Sequence, residues 1–259
     1  MKITRFDYDS IDSTNAEARR FWGRPETRRP GREAQGEERR AWVFVAKEQT
    51  AGRGRLGRSW ASPPGGLWFT VLWPLAASVA SAQAAPLVVG LAVLRAIENH
   101  CSGPCRIKWP NDILIRARKI CGILCELESQ SDTPALVIGI GINANFHSSD
   151  LPVGVSYPGT TLLDETGIQT DLHRLLRETL DGLSQTLLGF EREGLTPFLG
   201  LINARLAWVG ARVTVCGSEA GEVTGLLRGV DERGRLVIDR DGRLLALLTG
   251  EVRKSVLED

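Results

Sequence analysis

Residues 49–60, QTAGRGRLGRSW, combine glycine and arginine in a way that suits the binding of an anion. Glycine lets backbone N–H groups approach an anion closely, and the guanidinium groups of Arg53, Arg55 and Arg58 match carboxylate and phosphate oxygens. The spacing also fits G-x-G-x-x-G, the dinucleotide-binding fingerprint, which needs a helix directly after the glycines. The next residues, SWASPPGG, cannot start that helix. We therefore predict a loop that closes over a phosphorylated, carboxylate-bearing ligand.

Two more groups of polar residues interrupt apolar sequence. The first group is Lys108, Asn111 and Asp112 in the run RIKWPNDILI, where the proline removes a ladder donor and predicts a sheet edge or a bulge. A bulge would turn these side chains out of the sheet. In the second, Lys119 begins the strand KICGILC and Asn143 ends the run VIGIGIN. The alternatives are a solvated strand edge for KWPND and an ordinary strand-end charge for Lys119. Three different polar functions clustered at one bulge favour a site.

A third polar group opens a helix near the start of the chain. Ser13, Thr14 and Asn15 precede it, and Thr14 with Glu17 has the spacing of a capping box. The motif by itself favours the cap. The alternative is a polar socket that receives a small neutral or anionic group at the helix N-terminus.

The elements that must position these residues follow from hydrophobic patterning. We predict strands over 3–8, 42–47 and 67–74, then a helix over 83–99 with Pro86 in its first turn. An antiparallel meander over 106–115, 119–128 and 135–145 follows, and then helices over 171–193 and 195–206. From Trp208 onward only short strands remain, which predicts a small all-β domain. The predicted domains are residues 1–207 and 208–259, with 24–40 as a mobile charged insertion.

Composition narrows the class of protein. The chain has 259 residues, 42% hydrophobic residues and a net charge of +1, so no overall field favours nucleic acid. No stretch approaches the roughly 20 apolar residues of a membrane span, and the N-terminus lacks the apolar core of a signal peptide. Five cysteines without framework spacing fit reduced thiols. We expect a cytoplasmic protein.

Taken together, the motifs resemble those of the biotin protein ligases. The matching segments are DSTN (12–15), EQTAGRGRLGRSWASPPGGLWFT (48–70), KWPNDI (108–113), RKICGILCE (118–126) and IGIGINAN (138–145). The resemblance implies an α+β fold, a mixed sheet flanked by helices as in the class II aminoacyl-tRNA synthetases. It also implies that VDERGRL and GEV belong to a small C-terminal SH3-like β-barrel. The implied reaction joins biotin and ATP into biotinyl-5′-AMP and pyrophosphate, and then transfers biotin to a lysine of a biotin carboxyl carrier protein domain.

The same resemblance assigns the site residues. The implied catalytic residues are Arg55, Asp112 and Lys119. The implied biotin-binding residues are Ser13, Thr14, Asn15, Gln49, Gly52, Arg53, Gly54, Arg55, Lys119 and Gly122. The implied ATP-binding residues are Arg55, Arg58, Trp60, Lys108, Asn111, Asp112, Lys119 and Asn143. No side-chain cluster is expected to bind a metal, and Mg²⁺ arrives with ATP. Whether Asp112 contacts Mg²⁺ or assists deprotonation of the acceptor lysine stays open.

Several alternatives and departures remain. Many relatives carry an N-terminal helix-turn-helix, whereas this chain begins shortly before DSTN, so we expect no DNA binding. A homodimer through a sheet edge is possible in this fold. Lipoate or octanoate ligases and transferases share the fold but carry an arginine–triple-glycine signature that is missing here. An RNA-binding or catalytically inactive interaction protein is the remaining alternative, disfavoured by the low net charge and by the intact charged motifs.

Overall fold

The computed structural model describes residues 1–24, 39–75, 79–129, 134–152 and 157–254. Most of the predicted insertion at 24–40 therefore lies outside the described residues, and its mobility stays a prediction. At the end of that segment Arg39 donates to Glu191 through both Nη atoms, at 2.5 and 2.6 Å. None of the helices within the described ranges is long and apolar enough to cross a membrane.

A seven-stranded mixed sheet forms the larger layer. Its strands are β1 (Lys2–Ile11), β2 (Arg40–Gln49), β3 (Leu67–Pro74), β4 (Cys105–Lys108), β5 (Asp112–Ile115), β6 (Arg118–Glu128) and β7 (Ala135–Ile142). They lie in the order β1-β2-β3-β7-β6-β5-β4, where β1 is parallel to β2 and the other neighbours are antiparallel. The central strands β3 and β7 are almost continuously apolar because both of their faces are buried.

Helices cover both faces of this sheet. On one face, α2 (Ala85–Glu98) and α4 (Leu172–Glu193) pack into the main core, and Pro86 lies in the first turn of α2 as predicted. On the other face, α1 (Thr14–Trp22) buries Ala18 and Trp22 against a smaller apolar cluster. The short helices α3 (Leu162–Thr166) and α5 (Thr196–Arg205) complete this part of the chain. Helix α3 was not predicted from the sequence.

A separate antiparallel sheet follows. Its strands are β8 (Arg212–Ser218), β9 (Gly221–Val230), β10 (Leu236–Arg240), β11 (Arg243–Leu247) and β12 (Glu251–Lys254), in the order β11-β10-β9-β8-β12. The Asp241–Gly242 turn has φ of 55° and 84°, as a tight hairpin requires. Among the contacts that join this sheet to the rest of the chain, Trp109 Nε1 donates to Gly234 O at 3.0 Å, and Asn203 Nδ2 donates to Val230 O at 3.1 Å.

Two local predictions are wrong. KWPND is not a bulge inside one strand: β4 and β5 form a hairpin, and Trp109–Pro110 is its cis-peptide turn. The proline ends the first strand, so a turn replaces the predicted irregularity. The predicted capping box is also displaced by one residue, since Ser13 caps α1 and its Oγ accepts from Ala16 N at 3.4 Å. This leaves the Thr14 hydroxyl available for other contacts.

Candidate functional site

One cavity of about 940 Å³ gathers the predicted residues. It lies where α1, the 49–62 loop, β5, β6, β7 and the start of β12 converge. The predicted residues that line it are Ser13, Thr14, Asn15, Gln49, Arg53, Gly54, Arg55, Arg58, Trp60, Lys108, Asn111, Asp112, Lys119, Gly122 and Asn143. Gly52 is not among the lining residues. A Cβ atom there would lie 2.4 Å from Trp60 O and 2.8 Å from Ser62 Oγ, so Gly52 permits the close approach that shapes the loop.

Neutral polar groups form one side of the cavity. Thr14 N and Thr14 Oγ1 donate to Gln49 Oε1 at 2.8 and 3.0 Å, and Gln49 Nε2 donates to Ser62 Oγ at 2.8 Å. These bonds fix the amide of Gln49 and tie the helix N-terminus to the loop. Thr14, unlike the capping Ser13, contacts Gln49 directly, and a ligand-binding role for this polar group stays a prediction.

Two members of this polar cluster were not predicted from the sequence. Thr70, fully buried in β3, donates its hydroxyl to Asn15 Oδ1 at 2.6 Å and lies 2.8 Å from Thr14 Oγ1. Glu126 on β6 accepts from Asn15 Nδ2 at 2.9 Å. The signal for Thr70 was one hydroxyl within the apolar run LWFTVLWP. Glu126 ended the matched segment RKICGILCE without any assigned role.

Glycines make room on the strands beneath the cavity. Gly139 lies against Asn15, since a Cβ atom there would be 2.2 Å from Asn15 Oδ1. Gly141 and Gly122 are register partners on β7 and β6, and both lie under the Trp60 ring. Alternate residues of a strand share a face, so 139, 141 and 143 mark successive positions roughly 7 Å apart along the cavity. The order along β7 is therefore the polar cluster, then Trp60, then Asn143.

Charged groups form another part of the lining. Lys119 Nζ lies 2.7 Å from Asp112 Oδ1 and 4.9 Å from the centre of the Trp60 ring. Lys108 Nζ lies 3.7 Å from the other Asp112 oxygen and 3.9 Å from Glu251 Oε1. The β4–β5 hairpin thus places one carboxylate between two ammonium groups.

Burial shifts the pKa values of two of these cations. The Lys108 side chain is only 4% exposed, and this burial lowers its pKa, against the opposing influence of Asp112 and Glu251. Burial likewise lowers the pKa of Arg55, which donates through Nη1 to Asn111 Oδ1 at 3.3 Å. Cations held in such a desolvated site interact strongly with an incoming anion.

The glycine–arginine loop forms a one-turn 3₁₀ segment at Arg55–Gly57, and no helix follows it. Arg53 bridges to Ser59, which folds the loop back on itself. Arg58 Nη2 reaches Glu251 Oε2 at 2.7 Å, so the C-terminal sheet supplies an acidic partner that sequence reasoning did not predict.

Asn143 directly follows β7, and one half of its side-chain amide is hydrogen-bonded. Its Nδ2 donates to Thr160 O at 2.9 Å, while the buried Oδ1 has no hydrogen-bond partner among the residues that the structure describes. Trp60 Nε1 is likewise buried without one in that part of the chain. Both residues line the cavity, although these two atoms are themselves buried from solvent.

No group of three or more His, Cys, Asp or Glu side chains in the described ranges is arranged to hold a metal ion. Asp112 is a carboxylate of the cavity lining that could share a cation with ligand phosphates, the arrangement in which proteins usually bind Mg²⁺.

Comparisons with known proteins agree with this fold. The model of the Biotin/lipoate A/B protein ligase family matches residues 24–143, and that of the Biotin protein ligase C terminal domain matches residues 209–256. The fold and site therefore define a carboxylic-acid ligase of this class.

Individual relatives narrow the class. The chain is 33% identical to the Biotin--[acetyl-CoA-carboxylase] ligase of Paracoccus denitrificans over 237 residues, covering 88% of this chain and 90% of that protein. It is 32% identical to a solved structure, the biotin protein ligase from Aquifex aeolicus in complex with biotin and ATP, with a TM-score of 0.79 and coverage of 97% and 99%. The chain belongs to the biotin protein ligase family.

A longer relative is the Bifunctional ligase/repressor BirA of Escherichia coli. It is 33% identical over 219 residues, which are 84% of this chain and 67% of the relative. The chain therefore spans about two thirds of that protein's length.

Proposed function

We propose that the cavity binds biotin and ATP side by side, the two ligands with which the Aquifex aeolicus relative was solved as a complex. One observation carries the proposal: a neutral hydrogen-bonding cluster and a cluster of cations line a single cavity. Biotin has this polarity, with a neutral ureido ring at one end and a carboxylate at the other. The cluster around Thr14, Asn15 and Gln49 receives the ring, and the cations receive the carboxylate.

In the first half-reaction a carboxylate oxygen of biotin attacks the α-phosphorus of ATP. The bond from that phosphorus to the bridging oxygen breaks, and pyrophosphate leaves with its electron pair. Carboxylate and triphosphate repel each other, so Arg53, Arg55 and Lys119 neutralise both reacting groups. Mg²⁺ bound with ATP would further neutralise the phosphates, and Asp112 is the carboxylate of the lining that would hold it.

The nucleotide then lies over the remaining part of the lining. Asn143 lies at the adenine end of the cavity, and Trp60 offers an aromatic face. Lys108 and Arg58 hold the departing phosphates, while Asn111 positions Arg55. Asp112 orients Lys119 across 2.7 Å. Each of these assignments fits the donor or acceptor that the side chain has available.

In the second half-reaction the ε-amine of an acceptor lysine attacks the acyl carbon of biotinyl-5′-AMP. The C–O bond to AMP breaks, an amide forms, and the amine loses a proton. Biotin ligases act on biotin carboxyl carrier protein substrates, and we propose such a domain of a biotin-dependent carboxylase as the acceptor. Biotinyl-5′-AMP is a mixed anhydride that water hydrolyses readily. We therefore propose that the glycine–arginine loop excludes water from the cavity until the acceptor arrives.

We extend the proposal to the setting of the enzyme. The net charge of +1 gives the chain no overall electrostatic attraction to DNA, so we propose that it does not bind DNA. The free cysteines fit a cytoplasmic location. Strands β1 and β4 are the edges of the large sheet and are the candidate surfaces for a homodimer. Residues 208–259 act as a C-terminal domain that contributes Glu251 to the cavity.

The test is biotin-dependent exchange of labelled pyrophosphate into ATP. Purified protein with Mg²⁺-ATP and biotin is expected to catalyse the exchange, and the same protein with lipoate is not. Exchange that occurs with lipoate but not with biotin would favour the alternative, a lipoate ligase of the same fold. A folded sample that exchanges with neither acid would contradict the proposal.

A further inference from the structure

Asn15 lies at the most constrained point of the polar cluster. The residue is 7% exposed and its side chain lies against Gly139, where even a Cβ atom would overlap it. A primary amide has a donor end and an acceptor end, and rotation by 180° exchanges them. The group that Asn15 offers to a ligand therefore depends on what fixes its orientation.

Two residues that are not among the cavity-lining residues contact this amide from different strands. Glu126 Oε2 lies 2.9 Å from Asn15 Nδ2, and Thr70 Oγ1 lies 2.6 Å from Asn15 Oδ1. An ionised carboxylate only accepts hydrogen bonds, so the nitrogen must face Glu126. Arg19 pairs with the other oxygen of that carboxylate.

We infer that Glu126 and Thr70 are positioning residues that lock the Asn15 amide in one orientation and thereby set the specificity of the biotin-ring pocket. Nδ2 carries two hydrogens, and one stays available to a carbonyl acceptor of the bound acid. The flipped amide would place an oxygen against the Glu126 carboxylate, and two acceptors would then meet without a proton between them. This inference rests on the function proposed above.

The test separates biotin recognition from nucleotide recognition. Glu126→Ala removes the acceptor that fixes Nδ2, and Thr70→Val removes the hydroxyl at nearly constant volume. Each is expected to raise the KM for biotin about tenfold in pyrophosphate exchange, the usual consequence of a lost bond to a buried polar group. The KM for ATP and kcat stay near the wild-type values, because the amide contacts only the biotin end.

Two matched variants serve as controls. Arg19→Ala removes the ion pair on the same carboxylate but keeps the bond to Asn15, and should change the KM for biotin by less than about twofold, as exposed ion pairs contribute little. Thr70→Ser keeps the hydroxyl and should restore most of the affinity lost in Thr70→Val. The double variant E126A/T70V is expected to be non-additive, because both changes release one amide.

The outcomes distinguish the two levels of the proposal. If the wild-type protein shows no biotin-dependent exchange, the proposed function itself is contradicted. Wild-type exchange with unchanged KM for biotin in Glu126→Ala and Thr70→Val would overturn only this inference. So would equal rises in the KM for biotin and for ATP, or an Arg19→Ala effect as large as that of Glu126→Ala.

Discussion

At the scale of single residues, Lys119 is the point where a carboxylate, an aromatic ring and a neighbouring chain segment of the site come together. Its ammonium lies against Asp112, near the Trp60 ring, and at the start of a strand whose backbone is bound by the chain at 158–160. The side chain is 23% exposed, so its removal leaves no large cavity. Its role is therefore separable from stability.

Lys119→Ala is expected to lower the rate of pyrophosphate exchange by about 10²–10³-fold, the usual loss when one group that stabilises developing charge is removed. The unfolding temperature should stay close to that of the wild type. The control is Lys47→Ala, which breaks the exposed 2.6 Å pair with Asp9 and should leave exchange unchanged. A Lys119→Ala protein that exchanges at the wild-type rate would contradict the assignment.

The charged residues of the site could be predicted from sequence, but part of the hydrogen-bonding network could not. Arg55, Asp112 and Lys119 stand in distinctive motifs whose polar residues interrupt apolar sequence. Thr70 does not, since threonine is an ordinary strand residue. Glu126 is 111 residues from the amide it contacts, and only the folded sheet brings the two together.

At the scale of elements, β7 determines how closely the other parts of the site approach the sheet. Gly141 is central to this, because a Cβ atom there would lie 2.4 Å from Trp60 Nε1. Its register partner Gly122 leaves the same space on β6. The apolar run VIGIGIN predicted the strand, and the glycines indicated close approach, but the approaching ring could not be identified from spacing.

Gly141→Ala is expected to displace Trp60 and to lower kcat/KM for exchange about tenfold or more, with an overpacking cost of about 1–3 kcal/mol in the free energy of unfolding. Steady-state kinetics and denaturant unfolding measure the two effects. Gly200→Ala is the matched control, since nothing lies within 4 Å of the added carbon in α5. That variant should be fully active and slightly more stable. Normal kinetics in Gly141→Ala would show that the ring position does not matter.

The element predictions succeeded where connections are short. The antiparallel order of β5, β6 and β7 followed from their brief turns, and the helix Leu172–Glu193 followed from leucine periodicity. The pairing of β3 with β7 and the parallel pairing of β1 with β2 could not be predicted. Long chain segments separate the strands of each pair, and such segments do not determine which residues lie opposite each other. The KWPND hairpin was missed because a turn and a bulge have similar composition.

At the scale of the whole molecule, the two sheets meet at the cavity. Glu251, the first residue of β12, reaches Arg58 at 2.7 Å and Lys108 at 3.9 Å. The second sheet thus supplies an anion to the cations that we assign to the phosphates. In the absence of ligand this carboxylate balances their charge, and an incoming phosphate must compete with it.

This arrangement predicts a change in pH dependence. Burial and the neighbouring Lys119 lower the pKa of Lys108, whereas Asp112 and Glu251 raise it. Glu251→Gln removes one of the raising charges, so the pKa of Lys108 falls further and its ammonium loses its proton at lower pH. If that ammonium holds ATP, the alkaline decline of kcat/KM for ATP moves to lower pH.

The decline is measured as pyrophosphate exchange at subsaturating ATP through the alkaline range, with biotin saturating. The exposed Glu232 lies in the β9–β10 turn, and Glu232→Gln makes the same chemical change away from the cavity, so its profile should match the wild type. Tyr157, whose ring lies 4.9 Å from Lys108 Nζ, also has a raised pKa through burial, and Tyr157→Phe separates its ionisation from that of the lysine. A profile for Glu251→Gln that keeps the wild-type midpoint would contradict the prediction that Glu251 tunes the pKa of Lys108.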